Sequence, residues 1–170
     1  MHTFQPIPAD LFDFNPFQKI GKDWMLITAE KDNKANAMTA SWGGIGVMWG
    51  KNVAFIVVRD SRYTKEFIDN SDTFSLSFFQ DSKDNRIALK YMGSVSGRDE
   101  DKIGNVHFHV NHYDGIPFID EASTVLVCKK MCKQPITQES FIDPTIDEAW
   151  YKDKDYHNLY IGEIVKILAR

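Results

Sequence analysis

Between Trp24 and Leu168 the chain passes repeatedly through segments suited to extended backbone, and only briefly through segments suited to helix. Trp24 to Glu30 (WMLITAE) is apolar and partly β-branched. Val53 to Val58 (VAFIVV) is an unbroken apolar run, the pattern of a strand buried on both faces. Thr73 to Phe79 (TFSLSFF) begins in strict alternation, which sets Phe74, Leu76 and Phe78 on one face and Thr73, Ser75 and Ser77 on the other. Ser123 to Lys133 and Leu159 to Leu168 complete the set. Helical spacing is confined to three places. Tyr63 to Asn70 carries a stripe of Tyr63, Phe67 and Ile68, Lys83 to Met92 one of Ile87, Leu89 and Met92, and Thr145 to Trp150 suits a short turn. A doubly wound fold needs strands and helices in alternation throughout. This order predicts instead a mostly β fold, an antiparallel sheet closed into a barrel with a few short flanking helices.

Nothing divides the chain: no internal repeat, low-complexity tract or Pro/Gly/Ser linker interrupts it, so residues 1–170 read as one domain. Its 20 Lys and Arg against 24 Asp and Glu give a net charge of −4. Nucleic acid and anionic membranes both require a basic footprint, and neither is expected as a partner. Met1 to Leu11 lacks the basic and apolar regions of a signal peptide, and the longest apolar run falls far short of the ~18 residues of a membrane-spanning helix. Cys128 and Cys132 then read as reduced thiols, and the expected location is the cytoplasm.

Four groups of residues bear on chemistry. Asn36 to Gly46 (NAMTASWGGIG) is small or hydroxylic around one Met and one Trp, with glycines behind. Such a segment lets a flat ligand approach the backbone, and it equally suits a glycine-kinked barrel corner with a buried tryptophan. On a strand, Thr39 and Ser41 share one face and Met38, Ala40 and Trp42 the other. Arg59 to Lys65 (RDSRYTK) lies between a buried strand and an amphipathic helix that Ser61 or Thr64 could cap. Arg59, Arg62 and Lys65 place three cations there, either as a monophosphate cradle or as solvated side chains of an ordinary helix start. Ser94 to Lys102 (SVSGRDEDK) could bring Arg98 or Lys102 to the same anion, or form a charged surface turn. His157 heads the last strand, where an imidazole could donate to a ring or deliver a proton, or sit at the surface.

Other signals lead nowhere specific. His107, His109 and His112 form an HxHxxH cluster whose first two members would share a strand face, but no carboxylate or thiol is placed to complete a site, and no metal is expected. Cys128 and Cys132 are four apart, not in the spacing of redox or zinc pairs, and a strand would point both the same way. No nucleophile elbow, P-loop or dinucleotide-binding glycine fingerprint is present, so a nicotinamide cofactor would visit as a substrate.

Taken in order, NAMTASWGGIGVMWGKNVAF, VRDSRYTKEFIDNSDTFSLSFF, YMGSVSGRDEDK and DYHNLYIGEIV resemble the flavin reductase-like family of FMN-binding split barrels, in particular its flavoredoxin-like group, from about Phe17 to the end. The resemblance implies an antiparallel Greek-key split barrel with FMN at a homodimer interface, FAD being the other flavin to consider. It implies that Asn36 and Met38, Thr39, Ala40, Ser41 and Trp42 line the isoalloxazine, and that Arg59, Ser61, Arg62 and Thr64 hold the phosphate with Lys102 contributing. His157 would approach the flavin as its catalytic residue. The activity implied is NAD(P)H-dependent flavin reduction. The alternatives are an electron-transfer flavoprotein reduced by a redox protein partner, and a flavin-binding module without turnover.

Overall fold

The computed structural model describes residues 1–170. In chain order its elements are β1 (Gln5–Pro6), α1 (Pro16–Gln18), β2 (Met25–Lys31), β3 (Lys34–Ala40), β4 (Gly43–Met48), β5 (Lys51–Arg59), α2 (Tyr63–Asp69), β6 (Thr73–Phe78), α3 (Lys83–Ser94), α4 (Lys102–Asn105), β7 (Val110–Tyr113), β8 (Ile116–Ile119), β9 (Thr124–Pro135), α5 (Pro144–Trp150) and β10 (His157–Ala169). No helix is long and apolar enough to cross a membrane.

Seven strands hydrogen-bond in the order β3-β2-β6-β9-β10-β5-β4, all antiparallel, with β1 added beside β10. β3 and β4 stand at opposite ends of that order, yet only Ser41 and Trp42 separate Ala40 from Gly43. Two residues cannot span a flat sheet of this width, since neighbouring strands lie about 4.8 Å apart. The sheet therefore curls until its ends meet in a barrel.

Period-two alternation divides the apolar residues between two cores. Met25 and Ile27 of β2, Phe74, Leu76 and Phe78 of β6, and Leu126 and Cys128 of β9 point into the barrel, with Ile56 and Tyr160. Leu26, Val125 and Val127, one residue out of phase, face outward into a second core with Leu89 and Met92 of α3 and Phe118 and Ile119 of β8. Ser75 and Ser77 lie on that outer face as expected. Ser75 donates to the Pro117 carbonyl at 2.6 Å, and Ser77 Oγ accepts from the Ile119 amide at 3.2 Å. The two polar groups thus dock the β7–β8 hairpin instead of being stranded in an apolar layer.

Several expectations need correction. Val53 to Val58 is not buried on both faces. Ala54, Ile56 and Val58 enter the core, but Phe55 is 40% exposed and Val57 half-buried. The strand through Asn36 ends at Ala40, so Ser41 and Trp42 form the barrel corner, and Gly43, at φ 144°, starts β4 at the other end of the sheet. Trp42 is 38% exposed, not buried. The buried stripe of α3 is Ala88, Leu89 and Met92, while Ile87 faces out at 58% exposure. Trp24 lies outside its strand with φ 70°. The pairing of β9 with β10 shifts between Cys132 and Lys130, a bulge at Met131 that breaks the alternation. Cys128 is therefore buried in the barrel while Cys132 is half-exposed.

Candidate flavin site

Where the barrel closes, a cavity of about 360 Å³ opens between the Met38–Trp42 segment and the paired strands β5 and β10. Met38, Thr39, Ala40, Ser41 and Trp42 form one wall, and Val57, Arg59 and His157 the other, with Arg62 and Trp150 at its margins. Register explains the second wall: His157 sits directly opposite Arg59 in the β10–β5 ladder, so both side chains leave the sheet on one face. Alternation explains part of the first. Met38 and Ala40 turn to the barrel core, and Thr39 turns away to donate to the Leu89 carbonyl of α3 at 2.6 Å. Glycine keeps the corner tight, because a Cβ on Gly44 would lie 2.5 Å from the Phe55 ring.

His157 is 8% exposed and reaches the cavity among a group of aromatics. Trp42 lies 5.1 Å from the imidazole, and Trp150 meets Trp42 edge to face at 5.0 Å. Nδ1 is 2.7 Å from the Tyr151 hydroxyl. Burial, followed by the positive charges of Arg59 and Arg62, pushes the imidazole pKa down to about 4 against the opposing pull of Asp155. At neutral pH the ring is uncharged.

The cationic end differs from the expected cradle. Arg59 lines the cavity but is engaged, donating to the carbonyls of Asp155 at 2.7 Å and Trp150 at 3.0 Å, with its guanidinium 5.0 Å from the Tyr151 ring centre. Ser61 caps nothing: its amide (3.1 Å) and hydroxyl (2.5 Å) both donate to the Asp155 carboxylate. The N-cap of α2 is Arg62, without a side-chain cap bond. Thr64 is buried and accepts from Asn36 Nδ2 at 2.8 Å, so these two pin β3 to α2 and stand outside the cavity. Lys65 is held by Asp69 at 2.7 Å and Asp60 at 3.4 Å.

Lys102 is buried, and its Nζ donates to the carbonyls of Met92 (3.1 Å) and Val95 (3.4 Å), closing the C-terminal end of α3. Burial, and then the positive charge of Arg62, lower its pKa to about 8. Lys102 lines not this cavity but another of about 250 Å³, with Asn36 and Arg98. Arg98 is itself committed to Glu66 at 2.5 Å and lies 4.8 Å from the Tyr63 ring centre. One cation is left over. The Arg62 guanidinium has no hydrogen bond or ion pair and lines the cavity between Met38–Trp42 and His157.

The structure thus gathers Met38 to Trp42, Arg59, Arg62 and His157 into one cavity, and sets Asn36, Ser61, Thr64 and Lys102 behind or beside it. Sequence reasoning missed Val57, Trp150, Tyr151 and Asp155. The one available signal was a run of aromatics around His157: Trp150, Tyr151 and Tyr156. The histidine cluster disperses. His107 sits in a turn at φ 59°, His109 pairs with Glu121 and His112 with Glu30, each at 2.7 Å.

A family model described as flavin reductase like domain matches residues 17–170. No curated protein sequence matches the chain. Among solved structures, the flavoredoxin of Methanosarcina acetivorans is 24% identical with a TM-score of 0.66, over 87% of this chain and 68% of that one. An FMN-binding domain of a flavin reductases-like enzyme from Shewanella baltica is 19% identical with a TM-score of 0.69, over 98% of this chain and 77% of that one. A split barrel domain protein from Shewanella frigidimarina is 14% identical with a TM-score of 0.67, over 88% and 67%. With the match running from Phe17 through the barrel and both walls of its cavity, the chain belongs to the flavin reductase-like domain family and has the split-barrel fold.

Proposed function

We propose that this protein binds FMN in the cavity between Met38–Trp42 and His157, and works as a flavin reductase that takes hydride from NAD(P)H and passes electrons to a flavin or another acceptor. The observation that carries the reading is the pairing of a wall of small and aromatic residues with one free cation, Arg62, in a cavity of about 360 Å³. That size lies within the roughly 300–1,000 Å³ of small-molecule sites. A flat ring suits the wall, where residues 39–41 are small and Trp42 and Trp150 supply apolar surface. A phosphate suits Arg62, whose charge has no partner in the chain, with Lys102 close enough to add to the field.

When bound, FMN supplies the hydride and electron chemistry. The chain's residues bind and orient. Trp42 and Trp150 would shield the ring from water, Arg62 would hold the charged tail, and His157 would present Nε2 as a donor to the ring. An imidazole that is neutral at pH 7 can donate a hydrogen bond there without placing a buried charge against the ring.

The functional unit is proposed to be a homodimer, with the cavity mouth at the interface, in the cytoplasm. On β4, its turn and β5, Val47, Met48, Trp49 and Phe55 are 40–75% exposed, apolar surface of the kind that supports an interaction. A second reading, an electron carrier reduced by a protein partner, draws on the likeness to a flavoredoxin and uses the same cavity.

Titrating the purified chain with FMN and recording its visible spectrum tests the proposal. The expected result is about one FMN per chain, and failure of FMN, FAD and riboflavin alike to bind would overturn it. Rapid NADH or NADPH oxidation by the loaded protein supports the reductase. Inertness to both, with reduction by a redox protein, supports the carrier.

A further inference from the structure

Tyr151 follows α5 directly and is only 4% exposed, yet it lines no part of the cavity. Its hydroxyl lies 2.7 Å from His157 Nδ1 in buried surroundings. The phenol, its pKa raised by burial, keeps its proton, and His157 Nδ1 is the hydroxyl's one hydrogen-bond partner, so donation to Nδ1 is the arrangement that satisfies the buried O–H. Nδ1 is then the acceptor, and the neutral imidazole carries its own proton on Nε2, the nitrogen left for the cavity.

Tyr151 is in turn held from both sides along the chain. Arg59 donates to the carbonyl of the residue before it, Trp150, and to that of Asp155 four residues after it. The same guanidinium lies over the Tyr151 ring at 5.0 Å. Tyr156 stacks on the ring at 5.0 Å, and Phe141 packs at 5.4 Å. Because Arg59 and His157 are cross-strand partners, the group that fixes Tyr151 and the group that Tyr151 contacts are mounted on adjacent strands.

We propose that Tyr151 is a positioning residue for His157, fixing its tautomer and ring plane toward the cavity, and that Arg59 is the clamp that holds Tyr151 in place rather than a ligand of the cofactor phosphate. The proposal rests on the flavin reading for its consequence in turnover, but its geometric content concerns this chain alone. A purely structural tyrosine would contribute its ring; a positioning tyrosine contributes its hydroxyl. Tyr151→Phe removes the second and keeps the first.

Long-range proton–nitrogen spectra of the full chain, flavin-free and FMN-loaded, read the imidazole directly. In the unsubstituted protein His157 is expected to show a protonated Nε2 and an unprotonated, hydrogen-bonded Nδ1. A proton on Nδ1 would overturn the proposal without recourse to any variant. In Tyr151→Phe the Nδ1 signal should lose its hydrogen-bond shift, and the rate of flavin reduction should fall about three- to tenfold while the FMN Kd changes less than about twofold. An unchanged Nδ1 signal, or an unchanged rate, overturns it. Arg59→Lys keeps the charge and loses the fork, so FMN and riboflavin should weaken by the same factor. A loss confined to FMN would return Arg59 to the phosphate. If the unsubstituted chain bound no flavin, the flavin reading would fail while the ring spectra still decided the tautomer.

Discussion

Arg62→Glu isolates the proposed phosphate contact from folding. Arg59 is bound to two carbonyls and stacked on Tyr151, so its removal disturbs the chain itself. Arg62 has no hydrogen bond or ion pair to lose and is exposed. Substituting it strands no buried partner, and the change in stability should stay within about 0.5 kcal/mol. A charge-assisted hydrogen bond contributes about 1.5–3 kcal/mol, and about 1.4 kcal/mol is tenfold in affinity. FMN binding should therefore weaken roughly ten- to a hundredfold, toward the upper end because Glu also repels the phosphate. Riboflavin carries no phosphate and should bind with nearly unchanged affinity. Lys102, committed to the Met92 and Val95 carbonyls, is poorly placed to compensate. Parallel titrations of both ligands into both proteins at one ionic strength, with thermal melts, measure all the quantities needed. An equal loss for the two ligands at unchanged melting temperature would refute the assignment of Arg62 to the phosphate.

Three further outcomes are expected. His157→Ala should lower the rate of flavin reduction about tenfold or more while FMN affinity changes by less than about 1 kcal/mol, measured by anaerobic stopped flow beside a titration. Wild-type rates in a flavin-loaded variant would remove His157 from the chemistry. Gly162→Ala should destabilise the barrel by about 1–3 kcal/mol in urea, the usual cost of overpacking, because the new Cβ meets Phe74 at 2.8 Å and the Cys128 Cβ at 3.1 Å. The His157 pKa of about 4 lies below its ordinary 6.5, so across that interval the unfolded chain takes up a proton that the folded chain does not. The stability from this group is full above pH 6.5 and lost as pH falls toward 4. Urea unfolding at pH 7 and pH 4.5 should show that loss reduced in His157→Gln, and an identical loss in both proteins would contradict it.

Burial on a two-sided sheet leaves a period of two in the chain, which made β2, β5, β6, β9 and β10 legible in the sequence, while β1 and the β7–β8 hairpin carried no such signal. Thr73–Phe78 is the clearest case: its three apolar residues fill the barrel and its serines dock the β7–β8 hairpin. The sequence also marked Met38–Trp42, since small side chains next to glycines are visible as composition. Tertiary structure decided what each polar group had left to offer. Arg59 and Arg62 look alike in RDSRYTK, but one is consumed by carbonyls about a hundred residues away and the other is not. Ser61 and Thr64 are both plausible anion donors in sequence, but distant Asp155 takes both donors of Ser61, and Thr64, accepting from Asn36, is buried outside the cavity. The sheet order brought Arg59 opposite His157, which no local spacing encodes. Hydrogen-bonding capacity belongs to a residue type, but its availability depends on partners that only chain closure supplies.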